Sequence, residues 1–403
     1  MPNIKLITIL FLVAGLAAVG QIANTIFVPG MKMIADELLV RPEQVQAVMA
    51  LYVLTYGGSQ FIYGPLSDWF GRRPVIMVGL IIFSLGSGIA TFASSFSMLL
   101  TGNFIQGLGM GVGGVMCRTV MRDLYTGRQL HTASSYMSIT LILGPILAPL
   151  LGGVLCLVWG WRANFAFLLV LGLAMTLFDY FYFPETNAHR KSPETHLRHA
   201  WQGYKTILQN TQFQGNIACL LVTFSGVAIF EAVGGILFGD VLNFNPIMVS
   251  LLFIVPLPGF VLGSYVAARL NHTWSLNQLM QLGILFLGIG SSSMLFLGFL
   301  GYLNSWVILI PTMFYFFGGG ILFPTATAGA LEPFGCSAGK AGALLGGIQN
   351  VGAGLCILVS AAIPQEDQIP LAVILSVLTM IVASTFFLIQ RHAHKLARCS
   401  AAA

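Results

Sequence analysis

Apolar runs of roughly twenty residues, each closed by charged or turn-forming residues, recur along the whole chain. A helix crossing a bilayer needs about 20 mostly apolar residues, and twelve runs answer to that length: 5–29, 45–66, 75–94, 97–117, 134–158, 163–183, 214–239, 247–268, 276–300, 305–327, 338–362 and 369–390. The longest polar interval, 184–213, carries His189, Arg190, Lys191, Glu194, Arg198 and Lys205 and divides the runs six and six. The pattern predicts an all-α membrane protein: a six-helix bundle over 1–184, a linker over 185–212, a second six-helix bundle over 213–390 and a basic tail over 391–403. The first run follows Lys5 in the manner of a secretory signal, but it is too long for one and reads as a retained span.

Composition agrees with this reading. At 57% hydrophobic and 8% charged, 403 residues have too little polar surface to cover a water-soluble globule. The 46 glycines and 17 prolines are no obstacle, because spanning helices tolerate both. The runs are about twice the length of the strands of an outer-membrane barrel, which excludes that architecture. The net charge of +5 follows from topology rather than from nucleic-acid binding: with the N-terminus inside, the even loops and the tails hold all the lysines and arginines except Lys32, Arg41 and Arg162. Cytoplasmic loops retain basic residues, so both termini are expected in the cytoplasm. Cys117, Cys156, Cys219, Cys336, Cys356 and Cys399 are scattered without metal-ligand spacing and read as apolar packing residues; no metal, cofactor or disulfide is expected. The nearest likeness to a phosphate loop, from Gly335 to Lys340, is one residue short and lacks the magnesium-binding Ser/Thr, which argues against an ATP-driven pump.

Charge concentrates after the second run, in Gly64, Pro65, Leu66, Ser67, Asp68, Trp69, Phe70, Gly71, Arg72, Arg73 and Pro74. A tight reversal explains the glycines and prolines. It does not explain Asp68, an acid placed to pair with Arg72 or Arg73, or with Arg118 and Arg122 at the end of the fourth run. The segment resembles the loop between helices 2 and 3 of the major facilitator superfamily, matching at Gly64, Leu66, Ser67, Asp68, Gly71, Arg72 and Arg73, with Trp69 in place of the usual basic residue. The resemblance implies two six-helix bundles about a central cavity and a cytoplasmic gate latched by Asp68 with its arginines. The corresponding position of the second half, Gly263 with Arg269 before Asn271, has lost the acid and reads as a turn.

The fifth run carries Gly144, Pro145, Pro149, Gly152 and Gly153. Two prolines four apart with flanking glycines remove hydrogen-bond donors and bulk, so a bend and a close helix approach are expected. The run resembles a signature of the drug antiporters of this superfamily. In the fourth run Gly107 with Gly111, and Gly109 with Gly113, form small-residue faces suited to helix contact. Drug antiporters carry an arginine three residues before the equivalent of Gln106; here that residue is Asn103, so the arginine's proton-relay role does not carry over. The stretch from Arg118 to Tyr125, with Phe183, Pro184, Glu185 and Thr186, Phe230 to Ala232, Leu331 to Phe334 and Gly347 to Asn350, is similar to the multidrug-resistance branch related to the Bcr/CflA efflux proteins. That likeness implies export of lipophilic or cationic compounds in exchange for protons across a bacterial inner membrane. A monomer in contact with lipid is expected.

Acids inside spans are costly and usually functional. Glu231 sits deep in the seventh run, whereas Asp179 and Asp240 lie near run ends, within expected reach of water. A carboxyl away from water holds its proton until a cation approaches, which makes Glu231 the proton-coupling candidate; a protonated Glu bonded to a neighbouring helix is the alternative. Gln21, Asn24 and Thr25 share one helix face, and Tyr52, Tyr56 and Gln60 another. With Glu231, Phe253, Trp306, Phe317 and Gln349 they are the expected substrate cavity, although each alone also reads as packing. A proton-coupled importer or a uniporter of the same fold, and a non-transporting receptor or scaffold, remain as other readings.

Overall fold

The computed structural model describes residues 4–125, 144, 147–187 and 202–401, and their side chains except at 4–7, 335–339 and 389–401. Among these residues the chain is helical and has no strand. The helices are α1 (Ile4–Thr25), α2 (Met31–Leu38), α3 (Pro42–Phe70), α4 (Arg72–Thr91), α5 (Phe96–Leu124), α6 (Leu147–Trp159), α7 (Arg162–Tyr182) and α8 (202–208). They continue with α9 (Thr211–Ile236), α10 (Pro246–Ile254), α11 (Leu257–Leu270), α12 (Leu276–Phe299), α13 (Ser305–Leu331), α14 (Ala338–Ala361) and α15 (Ile369–Ala401). Nine stretches among the described residues are long and apolar enough to cross a membrane. α3 and α5, at 29 residues each, have the length but carry more polar residues, and α6 is described only from Leu147.

Local chemistry sets the helix ends. Ser95, Asn210, Asn245, Ser275 and Asn304 each accept a hydrogen bond from the backbone N–H three residues on, satisfying donors that have no intrahelical partner. The eighth run is two helices, α10 and α11, broken at Val255 and Pro256, and α9 ends in a π turn over Leu237–Val241.

α1, α3, α4, α5 and α7 pack on one another, and so do α9 and α11 to α15. α6 joins the first set: Asn164 of α7 donates to Cys156 Sγ at 3.0 Å. The small faces of α5 have separate partners. Gly107 and Gly111 abut α3, Gly109 abuts α4, and Gly113 lies against the Leu16 carbonyl of α1. Asn103 is wholly buried with its amide on the Leu99 carbonyl (3.0 Å), and Gln106 donates to Ser87 of α4 (2.8 Å). Gln106 thus ties α5 to α4, whereas the Asn103 bond stays within α5.

The two sets meet chiefly along α3 and α14. A β-carbon at Gly57 would lie 2.7 Å from that of Asn350, and one at Gly354 would lie 2.9 Å from the Leu54 nitrogen, so bare backbone is what allows the contact.

Candidate functional site

Glu231, on α9, opens into a pocket between the two helix sets. Thr25 comes from the end of α1 and Val28 from the turn after it, Pro149 from α6, Phe230 from α9, Phe253 and Leu257 from either side of the α10–α11 break, and Phe316 from α13. The free space is small, about 10 Å³, which is on the order of one water. Phe230 is the centre of an edge-to-face cluster, with ring centroids 5.7 Å from Phe253 and 5.5 Å from Phe316. Aromatic faces carry negative potential, so the wall beside Glu231 suits an organic cation as well as an apolar group. Glu231 itself makes no hydrogen bond or ion pair with any described residue. Apart from Thr25 its pocket neighbours are apolar, and none of the described residues is placed to neutralise it.

The structure brings Thr25, Glu231 and Phe253 together as expected neighbours. Gln21 and Asn24 lie on α1 beside them, half-buried, and Thr25 donates weakly to the Gln21 carbonyl (3.5 Å). Tyr52, Tyr56 and Gln60 lie elsewhere, along α3. Tyr52 donates to the Gly20 carbonyl at 2.8 Å and stacks on Tyr56, while the buried Oε1 of Gln60 has no hydrogen-bond partner among the described residues. Trp306 does not line the cavity: it is 61% exposed at the start of α13. Phe317 also faces away, packed at 4.6 Å on Phe286 and against Ala267, Leu279 and Ile321. Neighbouring helix positions point about 100° apart, and the pocket took Phe316 instead. Gln349 is buried outside the pocket, and Asn350 meets α3. Val28, Phe230, Leu257 and Phe316 were not foreseen, because helices that are apolar all round give no polar face from which to orient them. Asp179 does not reach water as expected: it is 2% exposed, and its Oδ2 has no hydrogen-bond partner among the described residues.

The fifth-run residues converge on the same junction. Gly144 lies against Gln21, Gly152 against the Ile26 carbonyl and Gly153 against Pro246. The Pro149 carbonyl accepts from Ser250 of α10 at 2.6 Å. Pro145 lies outside the described residues.

The loop from Gly64 onward forms a separate cluster at the other end of α3. Arg72, 7% exposed, donates to Ser67 (2.7 Å), Asp68 (2.6 Å) and Asp123 (3.0 Å). Asp68 therefore pairs with Arg72, and neither Arg118 nor Arg122 is its partner. Gly71 turns with φ +100°, and the space where its β-carbon would go is filled by the Glu185 carboxylate. That carboxylate accepts from the N–H groups of Arg72 (2.9 Å) and Arg73 (3.3 Å), capping α4 with the favourable charge. Asn187 donates to the Ser67 (3.3 Å) and Asp68 (3.1 Å) carbonyls at the end of α3, and Arg73 reaches the Tyr180 carbonyl at 2.5 Å. The partners named here all belong to the first helix set or to the segment directly after α7.

Arg118 behaves differently. It crosses to the second set, donating to the Gly342 carbonyl of α14 at 2.7 Å over the bare Gly346. Arg122 is exposed and forms no ion pair among the described residues. At the opposite end three side chains cross between the sets: Lys32 donates to Asn243 (2.6 Å) and lies 4.0 Å from Asp240, Glu43 accepts from the Gln365 N–H (3.3 Å), and Ser250 holds Pro149.

Residues 10–357 match the family model described as Major Facilitator Superfamily. The chain belongs to the major facilitator superfamily. It is therefore a multi-pass membrane protein. Multidrug resistance protein D of Escherichia coli is 42% identical over 380 residues, 94% of each chain. A bicyclomycin resistance protein homolog of Haemophilus influenzae is 26% identical over 87% of this chain and 90% of the relative. Among solved structures, the xylose transporter XylE of E. coli in a partially occluded inward-open conformation superposes with a TM-score of 0.73 at 12% identity, covering 96% of this chain and 98% of that one. At that identity the likeness is one of superfamily fold.

Proposed function

We propose that this chain is a proton-driven multidrug efflux antiporter of the bacterial inner membrane, exporting lipophilic or cationic compounds by alternating access. The nine apolar stretches, with α3, α5 and α6 added, make twelve spans in two six-helix bundles, 1–184 and 213–390. Both termini and the loop after α3 lie in the cytoplasm, and the protein works as a monomer. Its likeness to multidrug resistance protein D supports drug efflux over the other readings.

The observation that carries the mechanism is Glu231, without a partner among the described residues and facing a small aromatic-walled pocket between the helix sets. With the pocket empty, the carboxyl is neutral because its surroundings do not solvate a charge. A cationic compound favours the carboxylate and expels the proton; a returning proton expels the compound. One site thus discriminates between two ligands and biases the same rocking equilibrium in opposite directions. Arg118 serves as a cytoplasmic gate residue. Asp68, Gly71, Arg72 and Arg73 hold the first bundle's end in shape so that it moves as a unit, and Gly144, Pro149, Gly152 and Gly153 let the fifth span approach both bundles.

The test uses inverted vesicles containing the protein, acidified inside and reporting through a pH-sensitive dye. Adding a transported compound such as tetraphenylphosphonium is expected to relieve the quenching, because only an antiporter dissipates the gradient when its substrate arrives. A gradient indifferent to every lipophilic cation tried, in vesicles shown to hold folded protein, would contradict the proposal.

A further inference from the structure

α8 lies across the loop end of the molecule and touches both helix sets. Its buried face is Tyr204, 8% exposed, with Ile207, 3% exposed, one turn on; Gln202, Lys205, Thr206 and Gln209 face outward. Tyr204 rests on the first set, its hydroxyl 3.7 Å from where a β-carbon of Gly64 would be. Burial, and then the nearby charge of Asp68, push its phenol up, so the ring seats as a neutral group. Gly203 meets the second set, where its β-carbon would lie 3.3 Å from Lys340 Cδ on α14.

The far end of α8 is fastened to α9. The Gln209 and Asn210 N–H groups donate to the carbonyls of Lys205 (3.0 Å) and Ile207 (3.1 Å). Asn210 caps α9 through the Phe213 N–H (3.0 Å), and Gln214 of α9 reaches back to the Leu208 carbonyl (2.8 Å). α9 is in turn tied to α13 and the residue beyond it by Gln212, which donates to the Gly329 carbonyl (3.2 Å) and to Glu332 (3.1 Å). A helix fixed at one end to α9 and resting at the other on α3 moves with α9 when the sets separate.

We infer that α8 is a strap of the cytoplasmic gate, an arm carried by the second helix set whose Tyr204 seats on Gly64 of α3 and must lift before the cavity opens at this end. The inference rests on the alternating-access reading of the fold, and it adds a gate element from the linker that the Asp68 loop does not supply. Tyr204 and the crossing Arg118 hydrogen bond close this end together. A β-carbon alone at Gly64 would make ordinary van der Waals contact with the Tyr204 hydroxyl, so it takes a longer side chain there to crowd the ring.

Pulsed electron–electron distance measurements on the full chain in lipid nanodiscs test this. Native cysteines are replaced, and spin labels are placed pairwise at the exposed positions Phe70, Thr206 and His272. No drug is added, so the outcome does not depend on which compound is transported or on Glu231. In Tyr204→Ala the long-distance population of the 70–272 pair is expected to rise several-fold. Tyr204→Phe should keep the wild-type distribution, and Gly64→Leu, which pushes from the other side, should reproduce the Tyr204→Ala result. The 206–272 distance should stay single in every variant. A Tyr204→Ala protein of unchanged thermal stability with a wild-type 70–272 distribution would overturn the inference. So would a 206–272 distance that changes while 70–206 stays fixed, because α8 would then ride with the first set.

Discussion

Glu231 and Arg72 are the charged centres of two regions built on opposite rules. Arg72 has three side-chain acceptors and a carboxylate on its backbone N–H, all within one helix set. Glu231 has no partner among the described residues and faces a pocket shared by both sets. In the proposed cycle a group satisfied within one helix set gains nothing from rocking, which gives the Arg72 cluster the part of scaffold. A group left unsatisfied between two bodies changes its surroundings with every rocking motion, which is what coupling needs.

The contrast is broken most severely at Arg72. Arg72→Ala strands Asp68 and Asp123 and is expected to cost about 3 kcal/mol, read as a loss of thermal stability in detergent, with any surviving protein still exchanging drug for protons. Gly71→Ala comes next, at roughly 2 kcal/mol, since it combines a positive φ with a collision against Glu185. Glu185→Gln keeps the shape of the α4 cap and loses its charge, so about 1 kcal/mol is expected from the same melting assay. Glu231→Gln should leave the melting temperature unchanged or slightly raised, because it removes a half-buried carboxyl that makes no bond with any described residue. Smallest in stability but sharp in specificity is the pair Phe316→Leu and Phe317→Leu. The first should weaken tetraphenylphosphonium binding several-fold by equilibrium dialysis and the second should leave it alone; equal effects would mean that the pocket wall is misassigned.

How much of this was legible in the sequence varied with what each residue had to satisfy. Nine spans among the described residues were readable because crossing length is a hard constraint. α10 and α11 were merged, since Pro256 in an apolar run does not by itself say where a helix breaks. The Asp68 loop showed its charges but not its pairing: which arginine Asp68 meets depends on Glu185 and Asn187, more than a hundred residues later, fastening α3 and α4. Glu231 was readable as an acid in an apolar run. Its wall was not, because Phe316 and Phe317 are chemically identical neighbours and only the packing of α13 on Leu279, Phe286 and α9 decides which one turns inward. The same physics misplaced Asp179, whose position near a run end suggested water but whose side chain turns into the helix packing.

Everything in the proposed transport cycle turns on Glu231 giving up its proton as the drug arrives. That exchange can be watched in purified protein, held in weakly buffered detergent, titrated with tetraphenylphosphonium and followed by a pH indicator. Wild type is predicted to release protons in proportion to drug bound, and Glu231→Gln, folded to the same melting temperature, to release none. Proton release of wild-type size from Glu231→Gln would contradict the mechanism.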